Sequence, residues 1–496
     1  MGGENDKERP AQKGGDLVMD TMTYGGGAAI VNDALQPDTW HEIVPSPVSV
    51  TNGLVPAEWL DMLNELLFIH AARLRRNRIR YRYYDGKNKL KDFGISTPPQ
   101  LLNVETVVGW PKKAVDALAE RSRFDGFAAS DVDVQDMLDA ISERSRLKVK
   151  YRQALQSELI HSCCFAVPRR LADGTCRIDF YDAEHAAAVW DDAQGKVAYG
   201  LTVEDTDNGE PNRVDLITAD FVAHIDLGTD DGWQVEPHSL GEAPMVAFAY
   251  KPTMRKPFGT SRISRSVMSL TDSAVRVALG GDISYQFAVS PQKYLLNADK
   301  NPFEERTRWE TYIGSIFAVS NDADNGTPVF GQLTQASMQQ TVDYMRLLAS
   351  RFAAETNIPL QQLGVAADSN PSSAEALYAA SEPLIIEAED LNDGARISLK
   401  QLALMALAIE ADVPTASLPP EFRDFSPSMR NPAMPSIVSQ ADAMVKVAAV
   451  VPQFAGTDTF FEQLGFSEDI RRRIRSDMAK AQGQMVLDRI FGQGDE

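Results

Sequence analysis

The chain is 496 residues long, 44% hydrophobic and 24% charged, an ordinary globular balance with room for about three cores. Seventy acidic residues against 49 basic ones leave a net charge of −21. Most of the surface should therefore repel DNA, which excludes a repressor or a packaging histone.

No apolar run reaches the roughly 18 residues that a membrane span needs. Residues Met1 to Gly15 are polar, carry Lys7, Arg9 and Lys13, and run into no apolar segment, so a cleaved secretion signal is not expected. The three cysteines, Cys163, Cys164 and Cys176, do not make a disulfide framework and fit a reducing cytoplasm.

Residues 1–40 are rich in Gly, Asp, Asn and Thr and read as a mostly disordered arm. After Pro56, Trp59, Leu63, Leu66, Leu67 and His70 recur at helical spacing. The pattern runs into a basic stretch with Arg73, Arg75, Arg76, Arg78, Arg80 and Arg82, interleaved with Tyr81, Tyr83 and Tyr84. This stretch reads as the wet face of a helix end and strand, paired with acids of an adjacent subunit, in preference to a DNA or capsid contact. A second helical segment is expected over 131–162, with Asp131 as its N-cap.

Between 164 and 251 the texture changes to short β-branched and aromatic runs divided by Asp173-Gly174, Gln194-Gly195, Asn208-Gly209 and Asp231-Gly232, the mark of antiparallel strands. Helical spacing returns from Ser261 through Val277 and is closed by Pro291, with Gly280-Gly281 as a weak point. Candidate strands follow at 293–296 and 315–319. A further helix carries Met338, Val342, Met345, Ala349 and Phe352 on one seam and ends before Pro359. After a loop from Leu360 to Pro371, Ser372 and Glu375 open the longest helix, expected to reach Ala411 and to kink at Pro383. A Pro-rich linker over 414–435 and amphipathic helices at 437–450 and 467–491 complete the chain.

Nucleotide-binding glycine loops, zinc-protease and serine-hydrolase motifs are all missing from the sequence. The one cluster with chemical potential is His161-Ser162-Cys163-Cys164. It lacks zinc-site spacing and would need His185, His224 or His238 as a base to act as a thiol nucleophile. Buried thiols at a helix-to-strand transition are the better reading. Asp191-Asp192 and Asp230-Asp231 could hold a metal ion, but beside turns they read as turn formers. No catalytic, cofactor or metal site is expected.

Four stretches, in this order and spacing, resemble the portal proteins of long-tailed bacteriophages. They are Tyr83-Tyr84-Asp85-Gly86, Leu240-Gly241-Glu242-Ala243-Pro244-Met245, Phe258-Gly259-Thr260-Ser261-Arg262-Ile263 running on to Asp272, and Ala353-Ala354-Glu355-Thr356-Asn357-Ile358-Pro359 running through Gly364 to Ser369-Asn370-Pro371-Ser372-Ser373-Ala374-Glu375. The resemblance covers about 55–490 and implies an α+β, mainly helical portal fold. Its parts would be a wing (41–260, helical then β-rich), stem helices (261–290 and 334–358) flanking a clip (291–333), a tunnel loop (359–372), a long kinked wing helix (373–413) and a crown with a flexible tail (414–496).

The family's function would then be that of a ring of about twelve subunits at one capsid vertex, through which double-stranded DNA is packaged and later ejected. The implied partners are the terminase large subunit, a head-completion adaptor, scaffold and the major capsid protein, with no membrane and no cofactor. The protein would be made in the host cytoplasm and reside in the virion. About twelve copies at −21 each would carry roughly 250 negative charges, leaving the bore slippery.

Gly364, Asp368, Ser369, Asn370 and Pro371 are the expected DNA-facing loop residues. Arg262 and Arg265 in the stem and Lys293 and Lys300 in the clip are candidate DNA or intersubunit contacts. A minor capsid or adaptor protein is the second reading and a thiol-dependent enzyme the third.

Overall fold

The structure is a computed structural model, and it describes residues 21–23, 29–31, 55–88, 106–207, 210–229, 232–289, 293–296, 329–332, 338–364, 374–433, 437–466 and 468–491. In the arm, strands β1 (Thr21–Thr23) and β2 (Ala29–Val31) pair antiparallel, and the rest of the arm expected to be mostly disordered lies outside the described residues. Helix α1 (Ala57–Tyr84) starts after Pro56 and continues without a break through the whole arginine stretch, so no strand begins there. Its inward face carries Leu63, Leu66, His70 and Asn77. The two leucines are fully buried, each worth about 1.5–3 kcal/mol. The polar pair is satisfied by backbone: Asn77 Nδ2 donates to the Ala183 carbonyl at 2.9 Å, and His70 Nε2 lies 2.7 Å from the Glu184 carbonyl.

Helix α2 (Trp110–Ala119) and strand β3 (Phe124–Ala129) follow. The segment expected as one helix over 131–162 is two, α3 (Val132–Arg144) and α4 (Leu147–His161). Arg146 turns left-handed at φ 51° between them, and Ser145 is fully buried. Asp131 caps α3 as expected, its Oδ1 accepting from the amides of Asp133 and Val134 at 2.9 and 3.1 Å.

The β-rich part is antiparallel throughout. Strands β4 (Cys163–Arg170), β5 (Cys176–Asp182) and β11 (Val246–Ala249) form a sheet of order β11-β4-β5. Strands β6 (Ala186–Asp191), β7 (Lys196–Asp207), β8 (Glu210–Ile217), β9 (Phe221–Asp226) and β10 (Trp233–Pro237) form a five-stranded meander. Asp173-Gly174 and Gln194-Gly195 stand at hairpin turns as read from the sequence. The other two turn dipeptides lie wholly or partly outside the described residues.

Alternation along β4 decides the layering. Cys164 and Ala166 face the main core with α2, α3 and α4, whereas Cys163, Phe165 and Val167 pack against the meander through Ala186, Ala188, Val197 and Ile217. On the meander's other contacts, Leu201, Val214, Phe221 and Ile225 close over Leu63 and Leu66 of α1.

Helix α5 (Arg265–Val289) runs through Gly280-Gly281 and packs along α6 (Gln339–Thr356). Between them the described residues are β12 (Lys293–Leu296) and β13 (Val329–Gln332), an antiparallel pair. The strand expected at 315–319 lies outside the described residues. The α6 seam holds in its second half, where Ala349 and Phe352 are buried; Val342 is exposed.

Helix α7 (Ala374–Ala411) carries Pro383 inside it, and the helix continues through that position. The stretch 414–435 is not only a linker. Strand β14 (Phe425–Met429) returns to pair antiparallel with β3 and seats Phe425 and Met429 in the main core. Helices α8 (Ile437–Val450), α9 (Asp458–Gln463) and α10 (Glu468–Phe491) end the described chain.

Candidate functional site: a charged junction at the root of the loop

Helix α6 ends where Asn357 adopts a left-handed conformation at φ 54°. Pro359 then opens a single 3-10 turn over Leu360–Leu363, which Gly364 closes at φ +74°. A Cβ on Gly364 would meet nothing within 4 Å. Ile358 and Leu363 stay buried in the main core and pin the root of the loop. The remaining loop candidates, Asp368, Ser369, Asn370 and Pro371, lie outside the described residues.

Behind this root sits a buried charge cluster. Glu387 of α7 and Arg262, in the segment leading into α5, have side chains only 4% and 3% exposed, with Arg262 Nη1 2.8 Å from Glu387 Oε1. The guanidinium is fully used: Nε donates to the Ala114 carbonyl at 2.6 Å, Nη2 to the Thr356 carbonyl at 2.6 Å, and Nη1 also to Tyr250 Oη at 2.9 Å. Tyr250 Oη and Lys251 Nζ both donate to Glu387 Oε1, and Asn357 Nδ2 donates to Glu387 Oε2 at 3.2 Å. One carboxylate thus fastens the strand end after β11, the entry to α5, the end of α6 and the long helix to one point. Burial alone would push the Glu387 carboxyl up; the Arg262 guanidinium, with hydrogen bonds from Arg262, Lys251 and Tyr250, overrides this and holds it at about 2. Burial drives the Tyr250 hydroxyl up.

The approach to Arg262 explains the Phe258-Gly259-Thr260-Ser261 sequence. Gly259 lies at φ +70°, and a Cβ there would stand 2.2 Å from the Tyr250 carbonyl oxygen. Ser261 Oγ donates to the Ile160 carbonyl at 2.5 Å and accepts from the Ile263 amide at 3.0 Å. The Arg262 amide donates to the Leu159 carbonyl at 2.9 Å. The chain is thereby threaded against the end of α4 with no room for a side chain at 259.

Arg262, expected to be a DNA or intersubunit contact, is buried here, and each of its guanidinium nitrogens has a partner within the subunit. Arg265 stands exposed at the first position of α5. Lys293 opens β12 opposite Gln332, and Lys300 lies outside the described residues. Glu387 escaped the sequence reading, although a carboxylate within Leu384-Ile385-Ile386-Glu387-Ala388 was a legible signal of a buried acid wanting a partner.

The arginine stretch divides by helical face. Arg78 and Arg82 are exposed, whereas Arg76 and Arg80 turn inward toward Cys163 and His161. Arg80 Nη1 donates to the His161 carbonyl at 2.8 Å. Burial, then the positive charges of Arg73 and Arg76, lower Arg76 to about 10 and Arg80 to about 9. The cysteine cluster is sealed: all three thiols are buried and free. Burial pushes Cys163 up to about 11 and Cys176 up to about 12, and raises Cys164 as well, which is the opposite of thiolate activation. His161 and Glu184 approach to 3.3 Å without hydrogen-bond geometry. Asp191 Oδ1 accepts from the amides of Ala193 and Gln194, the turn role expected of it, while Asp230 and Asp231 lie outside the described residues. Among the described residues no three His, Cys, Asp or Glu side chains converge as a metal site, and no helix is long and apolar enough to cross a membrane.

Comparison with known proteins matches residues 63–453 to the family described as phage portal protein, SPP1 Gp6-like. The portal protein of Mycobacterium phage D29 is 24% identical over 414 residues, 79% of this chain and 83% of that protein. That of Mycobacterium phage L5 is 25% identical over 389 residues, 74% of this chain and 77% of that protein. Among solved structures, a chain from the virion of a native gene transfer agent particle aligns with TM-score 0.41 at 10% identity, covering 76% of this chain and 89% of that one. A chain from the neck of the native particle, computed with C12 symmetry, aligns with TM-score 0.37 at 8% identity, over 74% and 89%.

Proposed function

Because this chain belongs to the phage portal protein family, SPP1 Gp6-like, and is a portal protein, we propose that about twelve copies close into a ring at one capsid vertex and conduct double-stranded DNA through its bore. The family match across 63–453 carries this reading. Stem helices α5 and α6 line the passage, and the segment 359–372 projects into it. The terminase large subunit docks on the clip during packaging, and a head-completion adaptor replaces it afterwards. Scaffold and the major capsid protein meet the wing. The protein is made in the host cytoplasm and stays in the virion.

The work is mechanical, driven by the terminase. The burial of all three thiols speaks against the thiol-dependent enzyme. Negative-stain microscopy of the purified protein, with its mass in solution, tests the ring. Rings of about a dozen subunits with a central hole are expected. A monomer at every concentration would sink the proposal.

For the loop, the supporting observation is the junction. A segment that pushes on DNA needs a root that does not yield, and Arg262, Glu387 and Asn357 lock both helices that lead into and out of it. Deleting 364–370 should leave rings intact and shorten the packaged genome. Full-length genomes from that mutant would refute the role.

A further inference from the structure

Two outward helix faces, on α1 and α7, have complementary character. On α1, Phe68, Arg75, Arg78 and Arg82 share the side opposite the buried Leu66, His70 and Asn77. Phe68 is 43% exposed. On α7, Glu382, Ile386, Glu389, Asp390, Asp393 and Ile397 share the side opposite the buried Leu384, Leu391, Ala395 and Leu399, and Ile397 is 73% exposed. A stripe of arginines beside an exposed aromatic thus has a counterpart in a stripe of carboxylates flanking two exposed isoleucines.

The two helices have α2 as a common neighbour and otherwise pack on different elements. Helix α1 packs on α2, α4 and the meander strands β6 and β7; α7 packs on α2, α3 and strands β4, β5, β11 and β14. A pair of unlike, complementary patches is what a head-to-tail interface requires, and such an interface closes into a ring when the rotation allows. Exposed isoleucines on a mainly acidic face, where Arg396 pairs with Asp393, also seek an apolar partner, which Phe68 supplies.

We propose that in the ring the α1 face of one subunit docks on the α7 face of the next, with the arginines of α1 set against the carboxylates of α7. This rests on the ring reading above and goes beyond it by assigning the contact. The interface uses none of the junction residues, so the loop's root and the ring's seam are separate devices.

Charge reversal tests the pairing. One variant carries Arg75→Glu and Arg78→Glu; a second carries Glu389→Lys and Asp390→Lys. The first sets acid against the α7 carboxylates; the second sets lysines against the α1 arginines and leaves only Glu382 and Asp393 acidic on the α7 face. By native mass spectrometry and microscopy at about 0.1 M salt, where surface charge still acts across about 10 Å, each variant alone should lose its rings. An equimolar mixture should regain them, with the two variants alternating. A folding defect in either variant would not be rescued by mixing, so recovery of rings is specific to the pairing. If the wild type forms rings and both variants alone do so equally well, the assigned contact is wrong and the ring reading stands. Loss of rings in each variant with no recovery on mixing also overturns the pairing. A wild type that forms no rings removes the ring reading itself.

Discussion

Glu387 is held ionised by three donors and a buried guanidinium, and its neighbours depend on that charge as much as it depends on them. Its carboxyl falls from its ordinary 4.5 to about 2 in the folded protein. The stabilisation it brings is therefore present above pH 4.5 and is lost as pH falls toward 2. Glu387→Gln should leave the Arg262 charge buried without a counter-charge, lowering stability by about 3–5 kcal/mol at neutral pH. It should also flatten the acid limb of the stability curve between pH 4.5 and 2, as read by urea melts at stepped pH. An unchanged acid limb would show that Glu387 is not the group titrating there.

Glu158 works in the other direction. Fully inside α4, its carboxyl is raised by burial to about 8. Below pH 4.5 it is protonated in both states; between 4.5 and 8 the unfolded chain gains from ionising it and the folded chain does not. Stability should fall over that window by up to about 1.4 kcal/mol per pH unit. Glu158→Gln should remove the slope, so the variant overtakes the wild type as pH rises, measurable by thermal melts from pH 5 to 9.

At the scale of elements, two left-handed glycines separate strain from crowding. Gly259 and Gly364 have almost the same φ, +70° and +74°, but only Gly259 faces an atom, the Tyr250 carbonyl oxygen. Gly364→Ala should cost about 1–2 kcal/mol, the price of a left-handed backbone with a side chain. Gly259→Ala should cost that plus about 1–3 kcal/mol for displacing the Tyr250 backbone. Equal costs in denaturant titration would mean that the segment over the end of α4 can shift freely.

The same contrast shows what the sequence could reveal. Periodicity located α5, α6 and α7, and Asp173-Gly174 and Gln194-Gly195 marked two of the hairpins, because those signals are local. Strand β14 was invisible: its five residues include Pro427, and its partner β3 lies in the first third of the chain. The buried Arg262–Glu387 pair stayed hidden for the same reason, because its two members lie far apart in the sequence.

At the scale of the molecule, β14 decides where the body ends. Phe425 stacks edge-on against Phe127 at 5.8 Å between centroids, Lys400 of α7 lies over the Phe425 ring, and Arg430 pairs with Asp125 at 2.8 Å. Helix α10 meets the body at the surface pair Arg472–Asp139, which contributes at most about 1 kcal/mol, and buries Arg471 as well. A chain ending at Ala433 should therefore unfold cooperatively close to the wild-type midpoint. A chain ending at Asp424 strips the partner strand from β3 and empties the sites of Phe425 and Met429. Each such loss costs about 2–5 kcal/mol, together a large share of the roughly 5–15 kcal/mol that holds a domain. Circular dichroism melts of the two truncations distinguish the cases. Matching midpoints would mean that β14 is a passenger on the main core and that the structural boundary lies before residue 425.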